Sequence, residues 1–399
     1  MKRFFFGLWA TVLFAAASCF AQTYTFSDLV NFPAVSAETR YYANAPLTID
    51  SNGNLYGSSQ GGGTYNYGTV FKVTPAGVLS TLYNFGTNQS KGLYGDGVQP
   101  IDNLVRDSAG NLYGVTVSND SGGCTGGLSG CGVVFKVTPA GVETLLYYLT
   151  DCGKTVSDST EFNTPLVLDS AGNLYGDYFC YGADEGSTVF KVTPQDRFSK
   201  IYTDRTAGSN SAGGPWIIDK AGNLYGYGTD AATSLPAIVE LTPTGKLTIV
   251  YTFASGVFPI GKLTQDTAGN FFGATYFSGS HLSGSVFKFS AKKKYSTLYS
   301  FCSQQNCSDG QYPIGFLTLD SSGNLYGLTY FGGTNNDGVV FQVTSSGRES
   351  VLYNFVDAAA GGEYGLVMDG SGNLYGVDDG DVGCVNSNGS GCVYKLTKN

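Results

Sequence analysis

Asp320-Ser321-Ser322-Gly323-Asn324-Leu325-Tyr326-Gly327 is followed by Val340-Phe341-Gln342-Val343-Thr344 and then by Leu352-Tyr353-Asn354-Phe355. The stretch matters because the whole chain repeats it. The aspartate element begins at Asp50, Asp107, Asp169, Asp219, Asp266, Asp320 and Asp369, and only the Asp266 copy departs, with Phe271-Phe272 for Leu-Tyr. The second signature recurs at Val70–Pro75, Val134–Pro139, Val189–Pro194, Val239–Pro243, Val286–Ser290, Val340–Thr344 and Val393–Thr397. The third ends most copies, at Leu82–Phe85, Leu146–Leu149, Ile201–Thr203, Val250–Phe253, Leu298–Phe301 and Leu352–Phe355. Successive aspartates lie 47 to 62 residues apart, in or slightly above the range of propeller blades.

Each unit supplies four short strands, A to D. The apolar stretch before the aspartate is A, Asn-Leu-Tyr-Gly opens B, Val-Phe-Lys-Val is C and Leu-Tyr-x-Phe is D. Apolar residues run consecutively within the strands, as in sheets covered on both faces. The last unit stops at Asn399 without a D strand, while Leu29-Val30-Asn31-Phe32 supplies one at the other end. A ring has a use for a unit split in this way, whereas an open solenoid needs capping units. The sequence therefore predicts an all-β fold, a seven-bladed propeller of four-stranded antiparallel blades. Its N-terminal strand is expected to pair in the last blade and close the ring.

The aspartate turn invites comparison with a calcium loop, since Asp50-Ser51-Asn52-Gly53-Asn54 places oxygens at positions 1, 3 and 5. Such a loop wants glycine at its sixth position and glutamate at its twelfth, where this chain has Leu55 and Gly61. A tight A–B hairpin, its aspartate accepting bonds from backbone amides, is the expected structure. The acidic run Asp378-Asp379-Gly380-Asp381 is read as a solvated loop, with calcium as the competing reading.

The tandem Gly-Asn-Leu-Tyr-Gly, Val-Phe-Lys-Val-Thr-Pro and Leu-Tyr-x-Phe elements resemble the bacterial GloVer repeat of the choice-of-anchor tandem-repeat proteins. The resemblance covers essentially the whole chain after its leader and implies an exported protein. It supplies no catalytic residues.

Export is also read from the first residues. Lys2 and Arg3 precede the apolar run Phe4–Ala17, and a cut between Ala21 and Gln22 fits a cleaved signal peptide, residues 1–21. Lipid attachment at Cys19 is the alternative. No later segment is long and apolar enough to span a bilayer, and no C-terminal anchor is expected. Loss of Lys2 and Arg3 leaves 20 basic against 31 acidic residues, a net charge of −11 for residues 22–399. So acidic a chain is a poor partner for nucleic acid. The expected location is the periplasm, the cell surface or the medium, as a monomer.

Eight cysteines remain beyond the leader, in near neighbours: Cys124 with Cys131, Cys152 with Cys180, Cys302 with Cys307 and Cys384 with Cys392. In an exported chain these are expected to form disulfides. Zinc is disfavoured, as there is no Cys-x-x-Cys pair and His281 is the sole histidine. No metal or other cofactor is expected.

The A–B turns have constant length, and the C–D turns vary little. Variation collects in the D–A and B–C connections, on the opposite face, together with the cysteines; loops of this kind carry binding. Residues just before strand A should ring the channel mouth there: Asp96, Glu161, Phe162, Phe258, Asp309, Gln311, Tyr312, Glu363 and Tyr364. Aromatics mixed with carboxylates and amides suit a sugar, and the competing reading is loop packing and turn capping. The leading functional expectation is a non-enzymatic binding module for an extracellular glycan or surface protein. A glycan-acting hydrolase or lyase with paired carboxylates among Asp96, Glu161, Asp309 and Glu363, or a purely structural surface repeat, are the alternatives. His281 lies in a B–C loop with no nucleophile motif beside it.

Overall fold

The computed structural model describes residues 23–33, 45–86, 96–117, 132–149, 160–162, 165–180, 186–204, 211–356, 365–378 and 391–399. The proposed leader lies outside them. The chain forms seven antiparallel sheets arranged as a seven-bladed propeller. Blade 6 is typical, with strands A to D at Gln311–Leu319, Leu325–Phe331, Val339–Val343 and Glu349–Asn354. Among the described residues no helix is long and apolar enough to cross a membrane.

The core lies between blades. Strand C is buried throughout (Val339–Val343 in blade 6, Thr69–Val73 in blade 1 apart from Lys72), because neighbouring sheets cover both its faces. The glycine of Asn-Leu-Tyr-Gly makes room for that packing. A Cβ on Gly327 would lie 2.6 Å from the ring of Phe341, and one on Gly57 would lie 2.5 Å from that of Phe71. Around the axis a threonine of one inner strand donates to the next blade: Thr48 to the Leu104 carbonyl, Thr264 to that of Leu317 (2.6 Å) and Thr318 to that of Leu366.

The ring closes as expected. Tyr24–Asn31 is the outermost strand of blade 7 and pairs antiparallel with Cys392–Lys398, from Tyr24 opposite Lys398 to Asn31 opposite Cys392. Its pairing even keeps the irregularity of the other blades. The register shifts between Asp28 and Val30, as it does between Val70 and Phe71 or Val340 and Phe341 elsewhere. Phe26 stacks on Tyr353 of blade 6 with centroids 4.8 Å apart, so the seam is bound sideways as well.

The A–B turns are hairpins. Oδ1 of Asp50 accepts from the amides of Asn52 and Asn54, both at 2.9 Å, and Oδ2 accepts from the Asn54 side chain (2.9 Å) and the Tyr56 hydroxyl (3.0 Å). Aspartate, asparagine and tyrosine of the repeat thus form one hydrogen-bonded unit, which recurs at Asp169, Asp320 and Asp369.

Candidate functional site

The Asp-Gly-x-x-Pro segments at Asp96–Pro100 and Asp309–Pro313 lead the chain into strand A of blades 2 and 6. Both take the same conformation. Gly97 and Gly310 have φ of 79° and 89°, and two residues on, Gln99 and Tyr312 are left-handed at 53° and 56°. A bulky residue is uncommon there. The amides of Gln99 and Tyr312 are fastened to the preceding blade's B–C loop, donating to the carbonyls of Tyr67 (2.8 Å) and Ser283 (2.7 Å). The aspartates that open these segments are interior. Asp96 is 3% exposed and Asp309 fully buried. Tyr83 donates to Asp96 at 2.8 Å; Tyr299 (2.6 Å) and the amides of Ser303 (2.8 Å) and Gln304 (3.3 Å) donate to Asp309.

Tyr312 is the centre of an aromatic patch between blades 5 and 6. It stacks on Tyr276 with centroids 5.0 Å apart and planes at 20°, and meets Phe277 (5.6 Å) and Phe331 (6.3 Å) edge-on. Phe277 in turn meets Phe258 at 6.0 Å, and Tyr330 meets Phe331 at 4.5 Å. Two rings face solvent openly, Phe258 at 52% exposure and Phe277 at 43%. The backbone fixes them: Tyr276 donates to the Phe258 carbonyl at 2.8 Å, and Gln311 pairs with Phe331 across strands A and B. Every one of these residues lies at a D–A or B–C connection, hence on the variable-loop face. Beside the rings, Gln311 donates to Asn336 at 3.4 Å, and exposed His281 is hydrogen-bonded through Nδ1 to Ser280 at 2.9 Å.

Of the residues expected at the mouth, Phe258, Gln311 and Tyr312 come together. Phe162 is 4% exposed and packs in the interior against Phe190, with centroids 6.2 Å apart. Glu161 belongs to a strand paired with Leu174–Cys180, and Glu363 and Tyr364 lie outside the described residues. Tyr276, Phe277, Tyr330 and Phe331 were absent from the sequence expectation. The signal for them is Thr-Tyr-Phe, which occurs at the end of strand B in two consecutive units, 275–277 and 329–331.

The connection between blades 5 and 6 is braced. A disulfide joins Cys302 and Cys307, and the Cys307 carbonyl accepts from Gly310 (2.9 Å) and from Gly333 of the blade 6 B–C loop (3.0 Å). Cys392 is disulfide-bonded too, and the other expected pairings involve cysteines outside the described residues. Under this connection lies Glu349, which accepts from Gln304 at 3.2 Å. Burial, together with the nearby Asp309 carboxylate, raises its pKa to about 8. Glu143, at the matching place in blade 2, is raised to about 7 by burial and Asp96. Among the described residues no group of three or more histidine, cysteine or acidic side chains is placed to hold a metal ion.

Fold and site together define a seven-bladed propeller with one uniform face and one varied face that bears an aromatic patch. Its sequence matches the Gloeobacter/Verrucomicrobia repeat over residues 18–234 and 217–399, and the chain belongs to that family. No curated protein matches the sequence. Among solved structures, a mutant puromycin hydrolase complexed with PGG aligns with a TM-score of 0.56 at 11% identity, over 86% of this chain and 50% of that one. A gluconolactonase from Xanthomonas campestris aligns over 95% of this chain and 91% of its own, with a TM-score of 0.43 and 12% identity. The chain spans about half the length of the puromycin hydrolase. Likeness at such identities concerns the fold alone.

Proposed function

We propose that this protein is an exported, non-enzymatic binding propeller that takes a glycan on the variable-loop face of blades 5 and 6. The observation that carries the reading is the patch of Phe258, Tyr276, Phe277, Tyr312, Tyr330 and Phe331, with two rings open to solvent. Aromatic rings offer a sugar a large apolar surface at little cost in side-chain entropy. Gln311 and Asn336 add amides for its hydroxyls. The backbone of Tyr312, in the conformation it shares with Gln99, is fastened to the Ser283 carbonyl and so fixes the ring at the centre of the patch.

Burial of Asp96 and Asp309 supports a binding role over hydrolysis. Their carboxylates already hold tyrosine hydroxyls and are enclosed by protein, away from any glycosidic oxygen above the patch. The test is a glycan screen followed by calorimetry. Phe258→Ala and Phe277→Ala are each expected to weaken binding by about 1–3 kcal/mol, as anchors of an interface do, with unchanged melting. Binding that survives both substitutions would remove the ligand from this patch. Capture of a protein and no sugar would replace the glycan reading with a protein-binding one.

A further inference from the structure

The inner strands of blades 5 and 6, Pro259–Gln265 and Gln311–Leu319, begin beside the aromatic patch, at Phe258 and Tyr312. Each bulges further along, between Ile260 and Thr264 and between Ile314 and Thr318. At the bulge the backbones touch. A Cβ on Gly261 would lie 2.0 Å from the Gly315 carbonyl oxygen, and Phe316 forms a parallel bridge to Gly365 of blade 7. The side chains that meet at this level are Lys262 and Phe316, with the lysine Nζ 5.3 Å from the ring centroid.

The same inner position, one residue before the buried Leu or Trp of strand A, is occupied by Pro46, Asn103, Pro165, Pro215, Lys262, Phe316 and Gly365. Lys262 is its only cation. No carboxylate among the described residues pairs with it, and burial alone draws its pKa below the ordinary lysine value. Among these seven positions Asn103 is the only other polar side chain, and its Oδ1 is buried without a hydrogen-bond partner. Lys262 is half-buried; drawing an ammonium out of water is costly where no described carboxylate answers it, and a cation over a ring recovers part of that cost. An anion brought by a ligand would complete the arrangement.

We infer that the ligand of this face is an acidic glycan, with a uronate carboxylate bound by Lys262 beside Phe316. The inference rests on the glycan reading above and narrows its substrate class. In a chain of net charge −9, a local cation is needed to make an acidic sugar welcome at all.

Calorimetry on the full chain with oligomers of galacturonate, glucuronate and mannuronate, each beside its neutral methyl ester, tests it. At least one acid is expected to bind about ten-fold or more tightly than its ester, in keeping with a charge-assisted hydrogen bond in a sheltered site. Lys262→Gln should erase that preference, and Lys262→Arg should keep it. Preference for the acid should also fade as pH rises through the lowered lysine pKa. Thermal melting of each variant establishes that it is folded, and Phe316→Leu offers a second probe that retains the charge. Equal binding of acid and ester, with Tyr312→Ala weakening both, would overturn the acidic class and leave the glycan reading standing. Failure of all three acids while neutral oligosaccharides bind would do the same. Indifference of every sugar to Tyr312→Ala would overturn the glycan site itself.

Discussion

In the turn units of Asp50, Asp107, Asp169, Asp320 and Asp369 the aspartate's pKa reflects opposing influences. Burial works to raise these carboxyls, but hydrogen bonds from asparagine, backbone amides and tyrosine outweigh it and hold them below the usual value. Such groups stabilise the fold above their unfolded pKa, and the contribution is lost as pH falls through the folded one. The tyrosines respond in the opposite sense: burial and then the Asp107 carboxylate push Tyr113 up to about 12. Blade 5 has no hydroxyl in this place, since Phe272 replaces the tyrosine while Lys288 keeps its seat 5.5 Å above the ring. Phe272→Tyr should bring a hydroxyl onto Asp266 and stabilise the chain by about 0.5–1.5 kcal/mol, read from chemical denaturation. No gain would mean that the hydroxyl is dispensable in this turn. Glu349 behaves differently from the turn aspartates. Its raised folded pKa means that the native state binds more protons than the unfolded chain between about pH 4 and 8, so its contribution to stability falls as pH rises across that window. Glu349→Gln should accordingly melt higher than the natural protein near pH 8, and the advantage should shrink toward pH 5. A difference that is flat with pH would show that Glu349 is not the titrating group.

At the scale of elements, the closing strand is the most exposed to test. Removal of residues 24–32 should leave the Cys392–Lys398 edge unpaired and Tyr353 without its stacking partner, Phe26. The shortened protein is expected to melt lower and to associate through that edge, as light scattering would reveal; a monomer of unchanged melting temperature would contradict the closure. This strand was legible in the sequence because Leu29-Val30-Asn31-Phe32 repeats a pattern whose role six other units define. The turns were legible for the same reason. The mouth was less so, because a sequence position before strand A does not say whether a side chain points inward. Asp96 and Asp309 open tight segments whose neighbouring tyrosine, Tyr83 or Tyr299, needs a buried acceptor, and that need drew them into the interior. Phe277 and Phe331 were hidden because an aromatic at the end of an apolar strand reads as a continuation of core. Phe277 is exposed because it lies two residues past the end of its strand, whereas Phe331 stays paired with Gln311 and is half-buried.

For the molecule as a whole, repetition makes the blades nearly interchangeable, and the difference between them is concentrated on one face. Seven similar sheets bury similar clusters between them, so the loops of blades 5 and 6 can be altered without touching what holds the ring. Exchange of segment 275–284 for the corresponding blade 1 residues, 59–68, should therefore abolish glycan binding while the protein still folds and melts cooperatively. Loss of folding would mean that the buried Thr275–Ser285 and Ser278–Ser285 hydroxyl contacts, 2.8 and 2.9 Å, belong to the scaffold.

The seam has a mechanical consequence. Tyr24 lies opposite Lys398, and the amide of Asn399 donates to the Thr23 carbonyl at 3.0 Å, so both ends of the clasp leave the ring at the same point of its rim. Tension applied at these two residues acts across the strand pair and loads its hydrogen bonds one after another. A pair gripped at opposite ends would share the load among all of them at once. The ring should thus resist heat as a cooperative unit yet unfasten under a small pull, beginning with blade 7. In an optical-trap experiment the first extension step should match release of residues 24–32, at a force well below that needed for any later blade.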